Sequence, residues 1–433
     1  MKMKKILFAA MAATMMFASC SENDETLPVN TSEETRVGLK LAFPSSGAAR
    51  ADDGSATAEE LVVKSVKVFI FNEDGTKNVF ADRDISKDFK AITGEKNAYE
   101  LITKSKIATT TGVKHVYVGV NLPDAFATNV TKEDDLDTEF ATTVAALTSA
   151  SAGYAMFSTA VQVTPSLVTE DDASWGTTNL VKVDVERLIA KMTANVASDL
   201  ANDVAEGSFG DLSYQLAQAG KESMFRITQR DGNGKLVTNI AHSGYPALST
   251  FKALNVPTLA LNAAARTSIF GLEHAGLNLQ RQEVTYAVFT AKFTPEFVTE
   301  KAGEEYKTET AWSGGDDFYV IETAAGRFFF ADETAAEEYA ADNETAAPVF
   351  YKGGNCYYPV YLGAGTTYEF ARNQYYNLTV TKFTGLGEPG DENGEPTVPE
   401  NPTKPVVELS TELMVNINIV PWNVIVIPDV ELE

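Results

Sequence analysis

The sequence predicts a mainly β fold, with the strands stacked as β-sandwiches and few, short helices. Three observations carry this. Apolar residues recur at period two, turn residues bound those runs, and helical spacing is scarce. Val66, Val68 and Ile70 share one face, and Asn72-Glu73-Asp74-Gly75 then supplies a turn. Val116, Val118 and Val120 form a second strand, closed by Asn121-Leu122-Pro123. Val181, Val183 and Val185 make a third, and Tyr376, Leu378 and Val380 a fourth. Arg230-Asp231-Gly232-Asn233-Gly234 suits a hairpin tip, because Asp-Gly and Asn-Gly tolerate positive φ. Two helices are expected. One carries Leu136, Phe140, Val144 and Leu147 on a single face behind the acidic Glu133-Asp134-Asp135, and the other is Ala-rich, over Glu333 to Ala341.

At 433 residues the chain is long enough for two or three domains, and a boundary near residue 195 leaves two bodies of plausible size. A formal charge of −25 argues against nucleic acid and against direct docking on an anionic membrane. No apolar run reaches the roughly 18 residues of a spanning helix. His115, His242 and His274 are too far apart for a local zinc signature, so no metal or cofactor is expected.

The N-terminus looks like an address. Lys2, Lys4 and Lys5 precede an apolar run from Ile6 to Phe17, the anatomy of a signal peptide over residues 1–19. The run ends in Phe17-Ala18-Ser19-Cys20, which resembles a bacterial lipobox with Cys20 as the lipidated residue. Buried methylenes at roughly 0.8 kcal/mol each would then hold the precursor to the membrane. Ser21-Glu22-Asn23-Asp24-Glu25 resembles the acidic tract of surface-exposed lipoproteins. With Cys20 acylated, only Cys356 remains, and no intramolecular disulfide can form.

Two segments do not fit the middle of a sandwich. Val37, Leu39, Leu41 and Phe43 alternate in a well-patterned strand, followed at once by small, flexible residues around Arg50, as a trypsin-like protease requires. Arg36 is a second possible cut, but strand pairing would shield it. At the other end, Leu413, Val415, Ile417 and Ile419 alternate, Pro421 interrupts, and Trp422, Val424 and Val426 resume. Residues 387–405 between body and tail are proline-rich and acidic. They form either an extended spacer of about 3 Å per residue or a loop between neighbouring strands.

This ordered set resembles the fimbrillin family, the Bacteroidetes-type (type V) pilins, with its nearest likeness to the stalk subunit of short, or minor, fimbriae (Mfa-type fimbrillin). The resemblance rests on Phe17 to Cys20, Ala49-Arg50-Ala51 after a strand, and Val116-Tyr117-Val118-Gly119-Val120-Asn121. It also rests on Arg187 to Lys191, Arg372-Asn373-Gln374-Tyr375-Tyr376-Asn377-Leu378 with Lys382-Phe383, and the final stretch with Pro421-Trp422. The family implies two tandem transthyretin-like β-sandwich domains, here 51–195 and 196–386. A propeptide, 20–50, would contain a removable strand and be cut between Arg50 and Ala51 by an arginine-specific protease. The linker 387–405 would then lead to donor strands at 406–433.

The resemblance also implies a self-polymer grown head to tail, other fimbrial subunits as partners, and adhesion or biofilm formation through host or bacterial surface receptors. The protein would pass from outer-membrane lipoprotein to extracellular fimbrium. A surface glycan-binding lipoprotein is the alternative from another class, and a tip adhesin or base anchor the nearest one. An enzyme is the weakest. Asp316-Asp317 reads as a solvated turn, and His242-Ser243-Gly244 has no partner that can be placed. Trp175, Trp312 and Phe328-Phe329-Phe330 could line a sugar site but suit packing better.

Overall fold

The computed structural model describes residues 32–43, 60, 62–95, 98–137, 140–141, 143–149, 153–168, 175–220, 222–226, 252–253, 268–275, 281, 284–364, 367–396, 403–406 and 412–422. The hairpin tip expected at 230–234 lies outside them. The strands that matter here are β1 (Glu34–Ala42), β2 (Ser65–Asn72), β3 (Lys77–Asp84), β4 (Ala98–Leu101), β5 (Ile107–Thr110), β6 (Lys114–Val120), β7 (Met156–Ser158) and β8 (Leu180–Arg187). They form one continuous path, β3-β2-β6-β7-β8-β1-β4, and β5 also pairs with β1. Chain neighbours therefore do not always pair: β1 lies beside β8, far along the sequence.

Alternation in β2 explains the packing of this first body. Val66, Val68 and Ile70 point to the core that also takes Val116, Val118, Val120, Val181, Val183 and Val185. The intervening Phe69 and Phe71 are equally buried, in a second core with Tyr117, Leu122, Phe157, Leu188 and Ile189. The sheet is thus covered on both faces, and the second core is where the next body docks.

That body begins with β9 (Ile189–Asn202) and continues through β10 (Gly207–Ala217), β11 (Ile269–Leu272), β12 (Tyr286–Pro295), β13 (Asn355–Tyr361), β14 (Gln374–Phe383) and β15 (Leu413–Pro421). One sheet runs β11-β9-β14-β15, the other contains β10-β12-β13, and a core including Met192, Tyr214, Phe289, Tyr358, Leu378 and Val380 lies between them. β9 pairs with β11 from Ile189 and with β14 from Lys191 to Asn202, so the strand that crosses residue 195 belongs to this sheet from its start.

The helix expected over 136–147 does not form. Glu133–Asp137 is a 3-10 turn, Phe140–Ala141 pairs with Glu222–Ser223, and only Val144–Leu147 is helical. Short polar side chains divide the segment. Asp135 accepts from the backbone N–H groups of Thr131 and Lys132, and Thr143 caps the new turn through Ala146 N–H. The second expected helix is present over Glu333–Asp342, capped by Asp332, which accepts from Ala335 N–H at 2.9 Å.

Candidate functional site

β1 occupies a central seat. It runs parallel to β8 over Gly38–Ala42, and on its other edge antiparallel to β5 over Glu34–Val37 and to β4 over Lys40–Ala42. Val37, Leu39, Leu41 and Phe43 are at most 2% exposed, and Phe43 meets the Tyr99 ring edge-on at 6.1 Å. Each such side chain gains about 1.5–3 kcal/mol on burial, an upper bound because an unfolded chain already buries some surface. Arg36 is paired within the strand, opposite Ala108.

The start of the seat is polar. The Thr35 hydroxyl donates to the Ser166 carbonyl at 2.7 Å and accepts from Val168 N–H at 3.1 Å. Asn179 Nδ2 donates to the carbonyls of Arg36 (2.8 Å) and Ser166 (2.9 Å), while its Oδ1 accepts from Ser166 N–H at 2.9 Å. Gly38 N–H donates to the Asn179 carbonyl at 3.1 Å.

The tail occupies a different kind of position. β15 pairs antiparallel with β14 and is the edge of its sheet. Leu413 is buried and Val415 and Ile417 pack on the core that holds Met192, Tyr214 and Phe289, but Met414 and Ile419 are 52% and 40% exposed. The linker does not carry the tail away from the body in this state. Glu388–Pro389 pairs with Cys356–Tyr357, Arg281 N–H donates to the Lys404 carbonyl at 3.0 Å, and Val406 is buried. An edge strand tolerates Pro389, which has no N–H to offer a ladder.

Trp422 ends the described tail in the seam between the two bodies. Its indole stacks on Phe270 (5.7 Å) and meets Tyr154 edge-on (5.9 Å). The Arg187 guanidinium lies over the ring and donates to the Trp422 carbonyl. Beside it Lys191 pairs with the fully buried Glu60 at 2.8 Å. Burial draws Arg187 down to about 10, against the opposing pull of Glu60.

Cys20, Arg50, Ala51, Val424 and Val426 lie outside the described residues, as does His242. Asp316 pairs with Lys292 at 2.7 Å and Asp317 accepts from Gly353 N–H. Phe329 and Phe330 are core residues, and Trp312 packs against Phe318. Sequence reasoning missed Glu60, Thr35 and Asn179. Arg187 had a visible signal, because it continues the core-facing phase of Val181, Val183 and Val185.

Residues 36–206 match the family described as major fimbrial subunit protein (FimA), and residues 349–426 match the C-terminal fimbrillin family, major fimbrial subunit protein type IV. Between them these cover more than half of the chain, which belongs to the fimbrillin family of fimbrial subunits. No curated protein gives a match. Similar solved structures include a fimbrilin (FimA) from Porphyromonas gingivalis, at 15% identity and TM-score 0.49, covering 90% of this chain and 98% of that one. The tip fimbrial protein Mfa3 of the same organism gives 12% identity and TM-score 0.41, covering 89% and 100%. A fimbrial assembly protein from Parabacteroides distasonis gives 15% and 0.36, covering 83% and 94%.

Proposed function

We propose that this fimbrial subunit is a stalk pilin that polymerises by strand exchange. An arginine-specific protease cuts between Arg50 and Ala51, β1 leaves, and the tail of a second copy takes its seat. One observation carries this reading: β1 is paired on both edges, whereas β15 is paired on one. A tail strand that moves from its home edge to a neighbour's central seat gains a second hydrogen-bonded ladder. Ile419, 40% exposed at home, would also take the place of Phe43, which is 2% exposed.

Strand addition of this type uses main-chain bonds for affinity and alternate side chains for register. Because donor and acceptor are different parts of one molecule, the contact is heterologous and grows an open filament. Leu413, Val415, Ile417 and Ile419, followed by Trp422, Val424 and Val426, supply the donor. Lipidation at Cys20 would tether the precursor to the outer membrane, and the same cut would release it. The role is structural rather than catalytic, and adhesion to host or bacterial surfaces is the use such a filament serves.

Arg50→Ala tests the reading. It should leave full-length, membrane-bound monomer, and filaments assembled normally from that variant would refute it. N-terminal sequencing of surface material separates the rival class: a chain starting at Ala51 supports the pilin, and lipidated Cys20 supports an anchored glycan binder.

A further inference from the structure

We propose that Ser166, Val168 and Asn179 form a register lock in the β1 seat, and that a second copy of this chain fills it with the hydroxyl of Thr411. This rests on the strand-exchange reading. Alternation of apolar side chains excludes a slip by one residue, which would turn every side chain to the wrong face. It does not exclude a slip by two. A seat that must accept one strand in one position therefore needs a contact that alternation does not provide.

The start of the seat has that contact. Arg36 carbonyl and Gly38 N–H are main-chain groups, which most occupants could supply. The Thr35 hydroxyl is not: it fills the Ser166 carbonyl and the Val168 N–H, and it is 1% exposed beside Asn179 at 6%. A strand without a hydroxyl here leaves the N–H of buried Val168 unmatched.

The lock thus demands a hydroxyl two residues before the first of four alternating apolar side chains, as Thr35 stands before Val37, Leu39, Leu41 and Phe43. From residue 406 onward the chain holds two hydroxyl residues, Ser410 and Thr411. Thr411, outside the described residues, enters by its spacing alone: it stands two before Leu413, Val415, Ile417 and Ile419. Ser410 stands two before Glu412, the wrong phase. In this register Met414 falls at buried Gly38, where an unbranched thioether chain adapts better than a branched one.

The test uses the full-length chain treated with an arginine-specific protease. Lys182→Cys combined with Asn416→Cys, the residue that takes the place of Lys40 opposite Lys182, should give a ladder of disulfide-linked multimers on oxidation, while Lys182→Cys with Met414→Cys or Asn418→Cys should not. A ladder from those slipped positions overturns the lock. Thr411→Val should raise the subunit concentration for half-maximal assembly about tenfold, as for one buried hydrogen bond left unmade, and Thr411→Ser should restore it. Assembly indifferent to Thr411→Val removes the lock and leaves strand exchange standing, whereas no polymer from the processed wild-type chain removes both. On the unprocessed chain, Thr35→Val should speed hydrogen exchange at the Val168 amide about tenfold and Thr35→Ser should not. Equal rates in the two variants would also overturn the lock.

Discussion

The Arg187 guanidinium lies 4.2 Å from the centre of the Trp422 ring, deep in the seam between the two bodies. One residue ends β8 in the first body and the other follows β15 at the far end of the chain. The tail is therefore held at home at two places, along the β14 edge and at this ring. A cation over a desolvated indole contributes up to about 2 kcal/mol.

Trp422→Ala should accordingly destabilise the precursor by about 3–5 kcal/mol through the cavity and the lost ring contacts. Met414→Ala, at a side chain 52% exposed, should change stability by less than about 0.5 kcal/mol. Urea denaturation of the two variants checks both figures. Equal midpoints would show that the ring does not hold the tail.

Glu60 and Lys191 form a buried pair at the same seam, 0% and 3% exposed at their side chains. Breaking it by Glu60→Gln or Lys191→Met should cost about 3–5 kcal/mol, since each leaves an uncompensated group indoors. The double replacement Glu60→Gln/Lys191→Met should cost clearly less than the sum of the two single losses. A double-mutant cycle by chemical denaturation measures that coupling.

β1 and the adjoining Phe43 stabilise the unprocessed chain through four core side chains. Leu41, fully buried, should lose about 2–5 kcal/mol on replacement by Ala. Hydrogen exchange in residues 34–42 should rise with it, because those amides pair across both edges of the seat. If stability falls and exchange at β1 does not move, the loss lies elsewhere in the core.

Acid should weaken the first body through Glu133. Burial raises this carboxyl, but hydrogen bonds from Tyr117 and His115 and the charge of Arg226 outweigh it and hold the carboxyl below its ordinary value of 4.5. A depressed folded value means stability that is present above pH 4.5 and lost as pH falls through the folded value. Thermal melts of wild type and Glu133→Gln at stepped pH should differ at pH 6 and converge in acid. A gap that stays constant with pH would contradict this.

Much of this was legible in the sequence, and for a physical reason. Period-two alternation reports one buried face, so the strands around Val66, Val116, Val181 and Tyr376 were visible, as was the isolated strand around Leu39. What alternation cannot show is a sheet covered on both sides, and Phe69 and Phe71 turned out as buried as their neighbours. The helical spacing of Leu136, Phe140, Val144 and Leu147 misled because Asp135 and Thr143 bind the backbone locally and split the segment. Glu60 left no pattern at all, since its partner Lys191 is distant in the chain and a lone acid has no period. The proline-rich linker left an extended spacer and a loop between neighbouring strands both open, and its ends lie on the subunit's own edges, a tertiary outcome that composition does not encode.

The most direct measurement is an electron cryo-microscopy map of assembled filaments, traced through the seat between β8 and strands β4 and β5. Strand exchange predicts a chain that begins at Ala51 and, in that seat, a strand entering from the neighbouring subunit. Residues 34–43 of the same chain still seated there, with β15 paired to its own β14 throughout the filament, would contradict it.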